Sequence, residues 1–289
     1  MSVLRARAPG KVNLALYLGP TRPQDGKHEL VSLVEPVTLA DWLELGPARG
    51  ETDEVACAGV DGPNLATDAL RRFRAATGWN GAPVRLTIFK QVPVAAGMGG
   101  GSADAAAALR LAAKASGIPV PEEVAAQLGA DVPAALHAGP AIMAGAGERL
   151  TPIEPPAPHA FVVLPAGVRL STAAVYAEAD RLGVARTQAE LVEHRVELER
   201  ALAAGELPLH NDLDPAARSL HPGVDEALAD ARAAGASEAL VCGSGPTVVG
   251  VFPTLDDAKL AAEALRERYP KAAAAHPAPP GFAAARSFA

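Results

Sequence analysis

Pro93-Val94-Ala95-Ala96-Gly97-Met98-Gly99-Gly100-Gly101-Ser102-Ala103-Asp104 constrains this chain more than any other stretch. A β-rich segment at 84–89 leads into it, and an alanine-rich helix follows. Four glycines in the five positions 97–101 permit positive φ and let a ligand approach the backbone with no Cβ in the way. A helix beginning near Ser102 turns free N–H groups and the positive end of its dipole into the loop. That combination suits a polyphosphate. Taken alone, the run is first of all a tight turn capped by Ser102, and its meaning depends on the other motifs of the chain.

The loop is not a Walker-type P-loop, because no lysine follows Gly101. A dinucleotide reading, Gly97-x-Gly99-x-x-Ser102 with Glu122 or Glu123 downstream, fails on context. The acid should close a second strand, yet here it opens a helix after Pro119 and Pro121. Composition narrows the field further. The 289 residues allow two ordinary domains, and 49% hydrophobic with 20% charged residues is the balance of a soluble globular chain. The formal charge of −7, with no basic stripe, argues against nucleic acid as the partner. An anionic substrate must then be met locally, by a few side chains and backbone N–H groups. Cys57 and Cys242 are too far apart in sequence for a ligand pair, and the seven histidines show no metal-ligand spacing. A reduced cytoplasm fits this cysteine usage. Arg5 and Arg7 interrupt the weakly apolar start, and no run approaches a membrane span, so neither signal peptide nor membrane is expected.

Periodicity predicts strands at 12–18 and at 31–45, the second interrupted by Pro36, with a turn-rich segment at 19–26 between them. Helices are expected at 64–77, 103–116 and from 122 to about 129. Pro152 to Pro158 is the best linker. Beyond it come a buried strand at 161–164, helices at 173–182, 188–203 and 224–234, two strands bracketing Cys242-Gly243-Ser244-Gly245, and a helix from 255 to about 268. The Ala- and Pro-rich end reads as a poorly packed tail. The expected architecture is α+β in two domains, residues 1–154 and 155–289.

Three motifs stand in a fixed order: Pro9-Gly10-Lys11-Val12-Asn13-Leu14, the loop at 93–104, and Val241-Cys242-Gly243-Ser244-Gly245-Pro246-Thr247. Their order and spacing resemble those of the GHMP kinases, the superfamily of galactokinase and the homoserine, mevalonate and phosphomevalonate kinases. Two further segments, Asp25-Gly26-Lys27-His28-Glu29-Leu30 and Gly129-Ala130-Asp131-Val132-Pro133, resemble D-G-Y-H-E-L and G-A-D-V-P. Those patterns mark the branch that phosphorylates the 2-hydroxyl of a cytidine-diphosphate-linked methylerythritol in the non-mevalonate isoprenoid route. The resemblance covers nearly the whole chain. It implies a ribosomal-protein-S5-like N-terminal domain, a ferredoxin-like α/β-sandwich C-terminal domain and an active site between them, using ATP and Mg²⁺.

Phosphoryl transfer needs an acceptor hydroxyl held in line, its proton taken up and developing charge compensated. The resemblance gives the base to Asp131 and the cationic partner to Lys11. Taken singly, Lys11 is equally an exposed strand lysine, and Asp131 a helix-ending residue. For the nucleotide, the resemblance implies Pro93, Ala95, Ala96, Gly97, Met98 and Gly99 together with Gly100, Gly101 and Ser102, the last also a magnesium contact. Asn64 would lie near adenine and ribose, although an asparagine there is also an ordinary helix N-cap. Cytosine offers a π-face and a donor–acceptor edge. The resemblance places His28 and Tyr176 on it, with Thr172 and Asn13 also on the substrate; the alternatives are a solvated loop histidine and a core tyrosine. Lys27 departs from the family's tyrosine and is left out of the binding set. Met98 and Ala103 are milder departures. Asp104 is assigned to capping, since an acid there would repel phosphate unless a cation intervenes, and His210-Asn211-Asp212-Leu213 to structure. Two rivals remain: another small-molecule kinase of the superfamily, of homoserine or mevalonate type, and a non-catalytic regulatory protein of this fold. Monomer and homodimer both stay open.

Overall fold

The computed structural model describes residues 2–60, 62–168 and 170–287. The first expected strand is much longer than its apolar run: β1 spans Leu4–Thr21 and pairs antiparallel with β2, His28–Pro47. Pro36 does not interrupt β2. The pairing instead shifts register between Pro9 and Lys11 and between Asn13 and Ala15, and a residue without an N–H is tolerated where the ladder is already irregular. Bulges re-aim side chains, and these two flank Lys11 and Asn13.

Next come β3 (Glu54–Cys57), α1 (Leu65–Thr77), β4 (Val84–Phe89), α2 (Gly100–Ser116), α3 (Glu122–Leu128), α4 (Val132–His137), β5 (Ala141–Gly145) and β6 (Arg149–Pro152). The second half adds β7 (Ala160–Leu164), α5 (Thr172–Leu182), α6 (Gln188–Ala203), β8 (His210–Asn211), α7 (Asp214–Leu220) and α8 (Gly223–Ala233). It closes with β9 (Glu238–Val241), β10 (Val248–Phe252), α9 (Leu255–Leu265), β11 (Ala273–Ala275) and β12 (Arg286–Ser287).

Helix α1 forms where its local chemistry asks for it. The Asn64 side chain accepts from the Ala66 N–H at 2.9 Å, and Ala66, Ala69, Leu70 and Phe73 make one buried face. Burying Phe73 contributes about 2–3 kcal/mol. Helix α2 buries Ala103 and Ala105 to Ala108, small side chains that let it lie close against α1 and β1. Together these helices cover one face of a mixed sheet ordered β12-β1-β2-β4-β3, with β5 branching from β2 and carrying β6, and β8 adding to β1.

The second sheet is antiparallel, ordered β11-β7-β10-β9. Its strands explain the continuous apolar run at β7 by alternation. Phe161 and Val163 face the core shared with Val12 and Leu14 of β1, while Ala160, Val162 and Leu164 face α8 and α9. The architecture is therefore α+β, with a β-α-β-β-α-β arrangement in the second sheet.

The tail corrects the sequence reading. Thr38 N–H donates to His276 O and Ala278 N–H to Pro36 O, both at 2.8 Å, and β12 pairs with Leu4 and Arg5. The Arg7 guanidinium lies between the Trp42 and Phe282 rings, 4.6 and 4.3 Å from their centroids. Backbone pairing and one aromatic anchor dock this segment although its own composition shows no periodicity. Residues 288–289 of that expected tail lie outside the described residues.

Candidate active site

The glycine loop leaves β4 and turns into α2 three residues earlier than expected. Gly99, at φ 66°, is the cap, and no side chain caps this end. Ser102 is thus a residue of the first turn, and the N–H groups of Gly100, Gly101 and Ser102 belong to the orphan donors of a 17-residue helix. They open onto a cleft of about 560 Å³ that is lined also by Pro93, Ala95, Ala96, Gly97 and Gly99. Met98 is the exception in the set. Its side chain is 1% exposed in the core, and its carbonyl accepts from the Lys11 N–H at 2.9 Å. Asn64 lines the same cleft beside Cys57 and Val60, so capping α1 and facing the cleft coexist in one residue.

Lys11 and Asp131 both approach Gly99, without forming an ion pair. A methyl on Gly99 would lie 3.2 and 3.3 Å from the Lys11 Cγ and Cε and 3.5 Å from the Asp131 Oδ2. Asp131 does not end a helix; it precedes α4, and its carbonyl accepts from the Ala135 N–H at 3.0 Å. The Lys11 ammonium donates to the Asn13 Oδ1 at 2.5 Å. On its other side lies Gly243, where an added Cβ would come 3.0 Å from Lys11 Nζ and 2.9 Å from Asn13 Oδ1. The loop at 242–245 therefore forms a wall of the site, and Asn211 holds it there. The Asn211 Nδ2 donates to the carbonyls of Val241 and Gly243, both at 2.8 Å.

Thr172 and Tyr176 of α5 line the same cleft. Thr172 Oγ1 lies 3.1 Å from Ser244 Oγ. Burial, helped by the nearby Asp131 charge, pushes the Tyr176 phenol up to about 12, so it stays protonated at neutral pH. His28 is not a solvated loop residue. It is 8% exposed, donates from Nδ1 to Gly19 O at 2.8 Å, and presents Nε2 to Asp180 at 3.2 Å. Its ring sits 5.5 Å from that of Tyr176 at 53°, and the cleft lining includes Tyr176 but not His28. Lys27 is exposed.

Asp104 does not cap the helix. With α2 beginning at Gly100, position 104 falls past the first turn, and its carboxylate, buried at 3% exposure, accepts from Lys90 Nζ at 2.7 Å. Lys90 also pairs with Asp41, whose Oδ1 takes the N–H groups of Gln91 and Val92 at 2.5 and 2.8 Å. Burial pushes the Asp104 carboxyl up to about 7, against the pull of Lys90. The cation beside this acid is therefore a side chain of the protein. Lys90, Asp41 and Ser32 were missed in the sequence. The sequence offered no signal that singles them out, since β2 also carries Glu29, Glu35, Thr38 and Glu44 beside Ser32 and Asp41.

Among the described residues no group of three or more His, Cys, Asp or Glu side chains is placed to hold a metal ion. No helix of the described residues is long and apolar enough to cross a membrane.

A glycine loop opening a long helix, with a lysine and an aspartate both approaching that loop, defines a small-molecule kinase of the GHMP class. Family models for the GHMP kinase N-terminal domain and for the GHMP kinase C-terminal region match residues 64–141 and 189–271. A protein of Methylorubrum extorquens named 4-diphosphocytidyl-2-C-methyl-D-erythritol kinase is 42% identical over 93% of this chain and 97% of its own length. One of the same name from Kineococcus radiotolerans is 41% identical over 86% of the chain and 81% of its own length. The crystal structure of a 4-(cytidine 5'-diphospho)-2C-methyl-D-erythritol kinase superposes with a TM-score of 0.78 at 35% identity, covering 94% of this chain and 98% of that one. Homoserine kinase from Cytophaga hutchinsonii shares the fold alone, at TM-score 0.68 and 15% identity over 95% and 93% of the two chains. The chain belongs to the 4-diphosphocytidyl-2-C-methyl-D-erythritol kinase family.

Proposed function

We propose that the protein transfers the γ-phosphoryl group of ATP to the 2-hydroxyl of 4-diphosphocytidyl-2-C-methyl-D-erythritol, releasing ADP and the 2-phosphate. The observation that carries this reading is the approach of both Lys11 and Asp131 to Gly99, in the glycine loop. Asp131 accepts the proton of the attacking hydroxyl, and the Lys11 ammonium stabilises charge developing on the transferring group. The N–H groups of Gly100, Gly101 and Ser102 hold the phosphates of ATP, with Pro93 and Ala95 to Gly97 closing the loop around them. Asn64 faces the base and ribose.

Mg²⁺ is usually carried by substrate phosphates with one or two protein oxygens. The donor set here fits that pattern: Ser102 and Asp131 line the cleft, whereas Asp104 is spent on Lys90. Bound there, the ion would neutralise phosphate charge. On the substrate side, Tyr176 offers the face on which cytosine stacks, His28 backs that ring, and Thr172 and Asn13 reach the diphosphate and polyol. The proposal takes residues 1–154 and 155–289 as the two domains, a division supported by the change of sheet between β6 and β7, although β8 and β12 return to pair with β1. It also places the protein in the cytoplasm, a reducing compartment consistent with two free cysteines.

The test is ATP-dependent ADP release with the cytidyl substrate, run beside homoserine and mevalonate. Turnover is expected with the cytidyl substrate alone. Asp131→Ala should lower kcat about 10²–10⁴-fold, and Lys11→Met comparably, in folded protein. Near-normal turnover of Asp131→Ala would remove the base from the mechanism, and turnover of another alcohol would reassign the substrate.

A further inference from the structure

A lysine ammonium has three donors and no acceptor, whereas an asparagine amide has one accepting end and one donating end. Lys11 is served only if the correct end of Asn13 faces it. The structure turns the oxygen to Lys11 Nζ, at 2.5 Å, and the NH₂ to Ser32 Oγ, at 2.8 Å. Ser32 in turn donates its single hydroxyl proton to Ala15 O at 2.7 Å. A carbonyl can only accept, so that proton is committed. The Ser32 oxygen is left with lone pairs alone, and only a donor satisfies it. Asn13 must therefore present its NH₂ to Ser32, which leaves its oxygen for Lys11.

Both residues line the cleft, yet little of either is open to it: Ser32 is 1% exposed and Asn13 4%, so water has little access to either group. Turning the amide over would set NH₂ against an ammonium and oxygen against oxygen, two unfavourable contacts where the local dielectric is low. Ser32 stands on β2 opposite Leu16, beside the β1 bulge between Asn13 and Ala15. The backbone irregularity and the hydroxyl that exploits it are thus neighbours. Gly243 closes the opposite side of the ammonium.

We propose that Ser32 is a positioning residue for the phosphoryl transfer: its hydroxyl fixes the orientation of the Asn13 amide and, through it, the seat of the Lys11 ammonium. The proposal rests on the kinase reading above. It also assigns the Asn13 oxygen to Lys11, so any contact of Asn13 with substrate uses what remains of the amide.

Ser32→Ala removes the acceptor that selects the orientation. Misplacing a catalytic group by about 1 Å lowers turnover by up to about 100-fold, so kcat should fall about 10- to 100-fold. The KM for ATP should stay within about 2-fold, because the donors at the start of α2 are untouched. The decisive comparison is the same substitution in an Asn13→Asp background. A carboxylate accepts through either oxygen, so it has no orientation to lose, and its second oxygen meets Ser32 as acceptor against acceptor; Ser32→Ala should there not lower kcat. An equal loss in both backgrounds, or a wild-type kcat in Ser32→Ala, overturns the proposal. If Ser32→Ala does not fold, Ser32→Cys keeps the volume with a poor acceptor, and a wild-type kcat there overturns it equally. Hydrogen exchange of the Asn13 side-chain amide, followed by NMR, reads the orientation without turnover. Its protons should be protected in the wild type and exchange at least about 10-fold faster in Ser32→Ala; equal rates overturn the proposal. An inactive wild type with protected Asn13 protons would refute the kinase reading and leave the orienting role of Ser32 standing.

Discussion

Two glycines four residues apart should respond to the same substitution in opposite ways. Gly97 has φ 76°, and an added Cβ would lie 2.0 Å from Cys242 O and 2.9 Å from Gly245 N. The left-handed backbone alone costs an alanine about 1–2 kcal/mol. The contact with Cys242, whose residue is fully buried, demands a backbone shift of about 1 Å and adds about 1–3 kcal/mol, as overpacking does. Gly97→Ala should therefore lose about 2–5 kcal/mol, a fall in Tm on the order of 10 °C for a chain of this size. Gly101 lies in the first turn of α2, has no positive φ and would meet nothing within 4 Å. There alanine should stabilise the folded state by up to about 1 kcal/mol, a rise in Tm of about 1–4 °C.

The informative quantity is then ATP affinity. If phosphate sits on the first-turn N–H groups, the new methyl of Gly101→Ala intrudes on it. Losing one charge-assisted hydrogen bond at about 1.5–3 kcal/mol raises the KM for ATP about 10- to 100-fold. Differential scanning calorimetry and coupled ADP assays on the two variants give both numbers. A Gly101→Ala protein that is more stable and has a normal KM for ATP would refute the placement of phosphate over α2. A Gly97→Ala protein with an unchanged Tm would refute the packing of the loop against Cys242.

Two further outcomes follow from features away from the cleft. Burial works to raise the Asp212 carboxyl, but hydrogen bonds from His210, Arg186 and the Leu18 N–H outweigh it and hold the group down at about 2. A carboxyl depressed on folding stabilises above its unfolded value near 4, and that stability is lost as pH falls through the folded value. Asp212 should thus contribute about 2 kcal/mol at neutral pH, disappearing between about pH 5 and 2. Asp212→Asn should flatten the acid limb of stability in urea titrations, and an unchanged limb would contradict the assignment. Phe282→Ala removes one face of the Arg7 sandwich and should lower stability by about 1–2 kcal/mol with unchanged kcat; a wild-type Tm would mean that the tail is not docked there.

What the sequence disclosed and what it hid divide along one physical line. Local chemistry was legible: the Asn64 cap, the strand at Val84–Phe89, the helix at 188–203, which the structure shows to start on a capping box of Thr187 and Glu190, and the paired strands around Cys242 all depend on neighbours in sequence. So was the order of the motifs. What stayed hidden depends on partners far along the chain. The start of α2 was misplaced because Ser102 is a good cap in isolation, whereas Gly99 at positive φ ends the loop in the fold. Asp104 was misassigned for the same reason, since its partner Lys90 comes from just after β4 and the second acid Asp41 from β2. The tail showed no periodicity because its anchoring is backbone pairing to Pro36, Thr38 and Leu4.

That line also runs through the proposed catalytic lysine. Lys11 was legible as a motif residue, but its exact seat is assembled from three remote segments: Ser32 of β2 through Asn13, Gly99 at the cap of α2, and Gly243 held by Asn211. Each contributes a constraint from a different direction, and removing a Cβ is what two of them contribute. The close approach of Gly97 to Cys242 joins the phosphate loop to the same wall. A displacement of the 242–245 loop therefore reaches the phosphate donors and the ammonium together. Binding of ATP and placement of Lys11 should accordingly fail together in variants of Asn211 and Gly243, but separately in variants of Ser32, which touches only the ammonium's side of the site.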